Sequence, residues 1–210
     1  MKQMEKRIID SPVEIRKEGD AQFIEGAGIM FNVESQDLGG FREIILPTAL
    51  DKADMSDVIV RAEHDNMYVL GRTSSGTAKV NITKDSANYS TSIPNTTAGR
   101  DMMEYIKRGD LKGSSFAFSD VKDSWEKRDD MAIRTISEIG KIYDMGPVFS
   151  PAYKQTDNKV ALRSLEEWRE KEKVVEIPKE IEEKPVDKPF VNPGLSLSDK
   201  VRLLKLKGRA

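Results

Sequence analysis

From residue 22 to residue 162 the apolar residues fall in short runs broken by Gly, Pro, Asn, Asp and Ser, a rhythm that calls for strands. Candidate strands cover residues 23–31, 41–46, 58–62, 78–82, 87–93, 114–121 and 131–142. Strands this short and this closely spaced predict an α+β chain, mainly β, built as a small sheet-rich or barrel-like domain over residues 21–163. Two helices interrupt them. Residues 47–54 make a short one with Pro47 near its start, and residues 97–108 make a longer one between a Thr cap and Gly109, burying Met102, Met103 and Ile106. Residues 1–20 are charged and weakly patterned, which suits an edge strand or a loose arm. Beyond the domain, residues 164–176 read as a charged helix. Residues 177–194 carry Pro178, Pro185, Pro189 and Pro193 among Glu and Lys and read as a flexible linker. The last stretch alternates Val201, Leu203, Leu204 and Leu206 with Lys and Arg. It gives a basic amphipathic tail, too short to hold a helix alone, which reads either as a disordered tail or as a docking peptide for a partner.

Composition narrows the chemistry. With 210 residues, 38% hydrophobic and 33% charged, the chain can bury one core and must solvate the remainder. A formal charge of −2 argues against a protein that coats nucleic acid. No window supplies the roughly 20 apolar residues of a membrane span, and the N-terminus lacks the apolar stretch of a secretory signal. Cysteine is absent, which removes disulfides and thiolate chemistry and fits a reducing compartment. His64 is the sole histidine, so a multi-histidine metal site is closed and only an all-carboxylate magnesium site stays open. No cofactor is called for.

The segment Gly113-Ser114-Ser115-Phe116-Ala117-Phe118 carries the first candidate. On a strand, Ser114, Phe116 and Phe118 share one face and Ser115 and Ala117 the other. With the two phenylalanines in the core, Ser115 is the serine directed away from it, and small neighbours leave room for a substrate. Taken alone, a serine there is an ordinary structural residue. His64 follows the apolar run at 58–60 and enters the polar turn Glu63-His64-Asp65-Asn66, where an imidazole suits proton transfer. A serine hydroxyl becomes a nucleophile when a base takes its proton, and the base works best when a third group fixes its tautomer. Folding 114–121 against 131–142 about the turn Glu126-Lys127-Arg128-Asp129-Asp130 sets Ser115 opposite 138–140. Glu138 is then the first choice for the third group and Asp144 the alternative. Backbone N–H groups beside Ser115, and Arg134 itself, are candidate donors to an oxyanion.

These pieces stand in the order found in the phage prohead protease family, also called procapsid maturation proteases, which the chain resembles from about Phe23 to Tyr153. The stretches are Ile24-Glu25-Gly26-Ala27-Gly28-Ile29-Met30-Phe31 and Phe41-Arg42-Glu43-Ile44-Ile45-Leu46-Pro47-Thr48-Ala49-Leu50. His64-Asp65 with Leu70-Gly71-Arg72 comes next, then Gly109-Asp110-Leu111 leading into Gly113-Ser114-Ser115-Phe116-Ala117-Phe118, and last Gly146-Pro147-Val148-Phe149-Ser150-Pro151-Ala152-Tyr153. The resemblance puts the family's histidine on His64 and its serine, in a Gly-x-Ser-Phe-x-Phe pattern, on Ser115. The acidic member stays open between Glu138 and Asp144.

The resemblance implies a serine endopeptidase with the β-barrel and peripheral helices of the herpesvirus assembly proteases. Those enzymes use a second histidine, which this chain lacks, so an acid takes that place. It further implies cleavage of major capsid protein or scaffold segments and of the enzyme itself, inside the assembling prohead in the host cytoplasm. A homodimer follows by analogy, with no membrane and no specific nucleic acid as partner. A tail that anchors the enzyme to the scaffold and is then cut away fits such a life. The rival reading is a non-enzymatic capsid-assembly protein on the same fold. A nucleic-acid-binding barrel fits the charge and the 7% aromatic content poorly.

Overall fold

The computed structural model describes residues 4–149 and 159–175. The chain divides into two units, 1–173 and 174–210. The predicted linker and basic tail at 177–210 lie outside the described residues.

Residues 1–20, read as an edge strand or arm, supply two strands: β1 (Glu5–Ile9) and β2 (Val13–Glu18). Then follow β3 (Ala21–Met30), β4 (Phe41–Ile45), β5 (Ile59–Arg61), β6 (Val69–Arg72), β7 (Ala78–Ile82) and β8 (Ser86–Ser92). The helix α1 (Thr97–Arg108) leads to two long strands, β9 (Gly113–Arg128) and β10 (Met131–Val148), and the helix α2 (Lys159–Val175) follows. The expected helix at 47–54 is a single 3₁₀ turn, Pro47–Leu50. On α1 the cap is Thr96, whose hydroxyl accepts the Gly99 N–H at 3.1 Å, and Gly109 closes the helix at φ 75°.

The strands make two sheets, one of six strands in the order β1-β9-β10-β5-β6 with β4 also on β10, and one of four in the order β2-β3-β8-β7. They do not close into a barrel among the described residues. The reason is visible in β10, which is long enough to pair with β4 along its first half and β5 along its second, so the large sheet branches instead of curling. The main core lies between the sheets: Ile24, Ile29, Ala87 and Tyr89 from the small sheet meet Phe116, Phe118, Ile136, Ile139, Ile142 and Met145 from the large one. A second cluster seats α2, through Ala161 and Leu165, on Phe41 and Ala132, with Trp125 and Trp168 against it. The Trp125 indole donates to the Ser164 hydroxyl at 2.9 Å. That packing starts the helix earlier than its charged portion does and joins it to the unit of the strands.

The large sheet also buries charge. Arg7 on β1 donates to Glu43 on β4 at 2.9 and 2.8 Å and to Glu5 at 2.6 Å. Arg134 on β10 donates to Glu5, to Glu43 and, through Nε, to Asp123 at 2.6 Å. Arg134 is wholly buried. Desolvation alone would raise the Glu5 carboxyl, but the bonds and charges of Arg134 and Arg7 outweigh it and hold Glu5 below its ordinary value. Removing one member of such a set strands its partners without compensation. We therefore expect Arg134→Met to cost about 3–5 kcal/mol in urea unfolding. A loss under about 1 kcal/mol would show that Glu5 and Glu43 are satisfied without it.

Candidate functional site

β5 ends at Arg61 and the chain turns at once into a 3₁₀ turn, Ala62–His64, where Glu63 and His64 take left-handed backbone angles, φ 54° and 56°. Such angles cost an L-residue roughly 1–2 kcal/mol and persist only where the surroundings over-determine them. Here they are held from both sides. Glu63 Oε1 accepts the Phe149 N–H at 2.6 Å, and Asp65 Oδ1 accepts the Met67 N–H at 2.8 Å. The turn presents the His64 ring to β10, where Nδ1 meets Asp144 Oδ1 at 2.6 Å. A carboxylate only accepts, so Nδ1 carries the proton and a neutral ring keeps its lone pair on Nε2. That Nε2 is buried and has no hydrogen-bond partner among the described residues.

Asp144 is 1% exposed and serves two donors. Oδ1 faces His64, while Oδ2 accepts from Arg61 Nε at 3.0 Å and from Arg61 Nη2. Burial pushes the Asp144 carboxyl up, but the His64 hydrogen bond and charge, followed by those of Arg61, outweigh it and hold the group below the usual carboxylate range. Two residues on, Gly146 has no alternative: a Cβ there would overlap the Arg61 carbonyl oxygen. The missing side chain lets the β5 end and its turn lie directly on β10.

Ser115 pairs with Gly146 across the β9–β10 ladder, and Ala117 pairs with Asp144. Directly opposed residues project to the same face, so Ser115 and Asp144 are diagonal neighbours on one face, about 7–8 Å apart at their Cα atoms. Ser114 points the other way and its hydroxyl meets the Tyr89 hydroxyl at 3.0 Å in the core, as alternation along the strand requires. Ser115 is not open to solvent as the sequence suggested. It is fully buried, and its hydroxyl donates to the Gly146 carbonyl at 3.5 Å.

Glu138 is elsewhere. Its carboxylate pairs with Lys122 at 2.8 Å and Lys52 at 3.7 Å, so the structure brings Asp144, and not Glu138, to His64. The register explains the difference. Arg128 pairs with Met131, so the turn is Asp129-Asp130, and two bulges, between Ile136 and Glu138 and between Ile142 and Asp144, each move β10 along by one residue. Ser115 thus reaches Gly146 and not 138–140. Arg134, an oxyanion candidate from sequence, is committed to Glu5, Glu43 and Asp123. Among the described residues no group of three or more His, Asp or Glu is arranged to hold a metal, and no helix is long and apolar enough to cross a membrane.

The family described as caudovirus prohead serine protease matches residues 11–171, most of the chain. The chain belongs to that family. A solved structure described as the bacteriophage T4 capsid assembly protease, gp21, is similar at 15% identity over 71% of this chain and 98% of that one, with a TM-score of 0.47. No curated protein matches.

For a member of the prohead serine proteases, three residues at this site went unread in the sequence: Arg61, Asn66 and Glu63. Their signal was faint, an arginine three residues before the histidine at the end of an otherwise apolar run. The Asp144 environment makes a stability prediction. Its folded-state value lies below the ordinary 3.8, so its contribution is present above that pH and is lost as pH falls through the lower folded value. The urea midpoint of Asp144→Asn should therefore lie well below that of the parent at neutral pH, and the gap should narrow below pH 3.8. A gap that stays constant with pH would contradict the assigned environment.

Proposed function

We propose that this protein is a serine endopeptidase in which Ser115 is the nucleophile, His64 the general base and Asp144 the residue that orients it. The observation that carries this is the state of the His64 ring. One nitrogen is fixed by a buried carboxylate, and the other is buried without a partner on the sheet face that carries Ser115. An unpaired buried polar atom costs about 1–3 kcal/mol, so its retention suits a group that acquires its partner during a reaction.

In the reaction, His64 Nε2 takes the Ser115 proton as Oγ attacks a peptide carbonyl. The imidazolium, stabilised by Asp144, passes that proton to the leaving amine, and a water activated by the same nitrogen hydrolyses the acyl-enzyme. The family supports action on the prohead, and the proposal extends to capsid and scaffold segments as substrates, with self-cleavage, inside the assembling prohead in the host cytoplasm. The burial of Ser115 requires the site to open before a peptide enters. That burial is also what favours the second reading, a non-catalytic capsid-assembly protein.

Co-expression with the neighbouring capsid protein, read by intact mass, separates the two. Wild type should cut the capsid protein and itself, while Ser115→Ala and His64→Ala leave both whole. Two whole proteins with wild type, under conditions where proheads form, would move the assignment to the assembly role. Among the acids, Asp144→Asn should lower the rate about 10⁴-fold by removing the group that fixes the tautomer. Glu138→Gln should stay within about two-fold, since its partners are surface lysines. Equal losses in both would return Glu138 to the site.

A further inference from the structure

Arg61 stands against the His64–Asp144 pair without belonging to it. Its side chain is 12% exposed, and its guanidinium reaches in two directions. Nε and Nη2 donate to Asp144 Oδ2, leaving Oδ1 to His64. On the far side, Nη1 donates to the side-chain oxygen of Asn66. Arg61 and Asn66 flank the turn that holds the left-handed Glu63 and His64, so this bond ties the two ends of the turn together. The same guanidinium holds the carboxylate and the turn that His64 joins.

The charge has a separate consequence. A guanidinium keeps its proton throughout the pH range in which proteins stay folded. A cation one carboxylate away from an imidazole disfavours the imidazolium and opposes the pull of Asp144. The groups facing His64 are Asp144 from β10 and Arg61 from β5, with Glu63 and Asp65 on its own turn engaged by the Phe149 and Met67 N–H groups. On β9 the residues paired with Asp144 and Gly146 are Ala117 and Ser115, which carry no charge. Arg61 is the cation of this set. It is also one of the partners that hold the Asp144 carboxyl low against burial.

We propose that Arg61 is a positioning residue that fixes Asp144 against His64 and sets its charge against protonation of the imidazole. Its part in catalysis rests on the Ser115–His64–Asp144 reading. The coupling of Arg61 to His64 does not.

The sole histidine makes the test direct. In the full chain carrying Ser115→Ala, the His64 ring signals are followed by NMR through a pH titration, alone and combined with Arg61→Gln, Arg61→Lys or Asn66→Ala. Arg61→Gln should move the midpoint up, while the other two leave it near its starting point. In the chain with Ser115 intact, the acidic limb of kcat/KM on a peptide spanning a mapped cut should move up with Arg61→Gln. Asn66→Ala and Arg61→Lys should lower kcat several-fold with the limb in place, because they loosen the geometry and keep the charge. An unmoved or lowered midpoint in Arg61→Gln overturns the proposal. Where Arg61→Gln does not fold, Arg61→Lys decides, and a displaced limb in that variant overturns it. A chain without proteolysis would sink the protease reading and leave the NMR titration to decide the coupling alone.

Discussion

The pairing of β9 with β10 is the constraint on which the rest of this molecule hangs. These two strands carry the residues at the centre of the main core, Phe116, Phe118, Ile136, Ile139, Ile142 and Met145. They also carry Ser115 and Asp144, and β10 accepts both β4 and β5 along its length. Two bulges decide which residue of β10 each residue of β9 meets. A strand has a side-chain period of two, so each bulge reverses which face of β10 looks inward beyond it. The core and the candidate site are consequences of one register.

Buried charge is used in two ways on this sheet, and the difference lies in satisfaction. Glu5, Arg7, Glu43 and Arg134 exchange hydrogen bonds among themselves, and no donor or acceptor side-chain atom of the set is left over among the described residues. Taking such ions out of water is costly, and the set offsets that cost by saturating itself. Asp144 is equally buried and Arg61 and His64 are partly so, yet their network ends at a buried nitrogen with no partner among the described residues. A closed network stiffens the sheet. The open one leaves a buried nitrogen without a bond among the described residues.

The turn at Glu63 and His64 shows what holds that open end in place. Two consecutive L-residues with positive φ do not stay there by preference. The Glu63 bond to the Phe149 amide, the Asp65 bond to the Met67 amide and the Arg61 bond to Asn66 pin the turn outside. Inside, the absent side chain of Gly146 lets the backbone of Arg61 settle on β10. Local strain at the histidine is thus balanced by bonds from residues on both sides of it and from the end of β10.

The sequence by itself determined the alternating runs that became strands, the helix ending at Gly109, the placement of His64 just past a strand, and the opposite faces of Ser114 and Ser115. Each of these depends on periodicity or turn chemistry that neighbouring residues write locally. The tertiary structure alone decided that Asp144 and not Glu138 meets His64, because the hairpin turns at Asp129-Asp130, later than the middle of the charged run, and the bulges in β10 displace every residue beyond them. It alone decided that Arg134 serves a buried ion cluster and that β1 joins the large sheet, since their partners lie far along the chain. It also decided that Ser115 is covered, and that the two sheets do not close into a barrel. Local pattern says what a residue can be next to its neighbours, and long-range pairing says which distant residues those neighbours are.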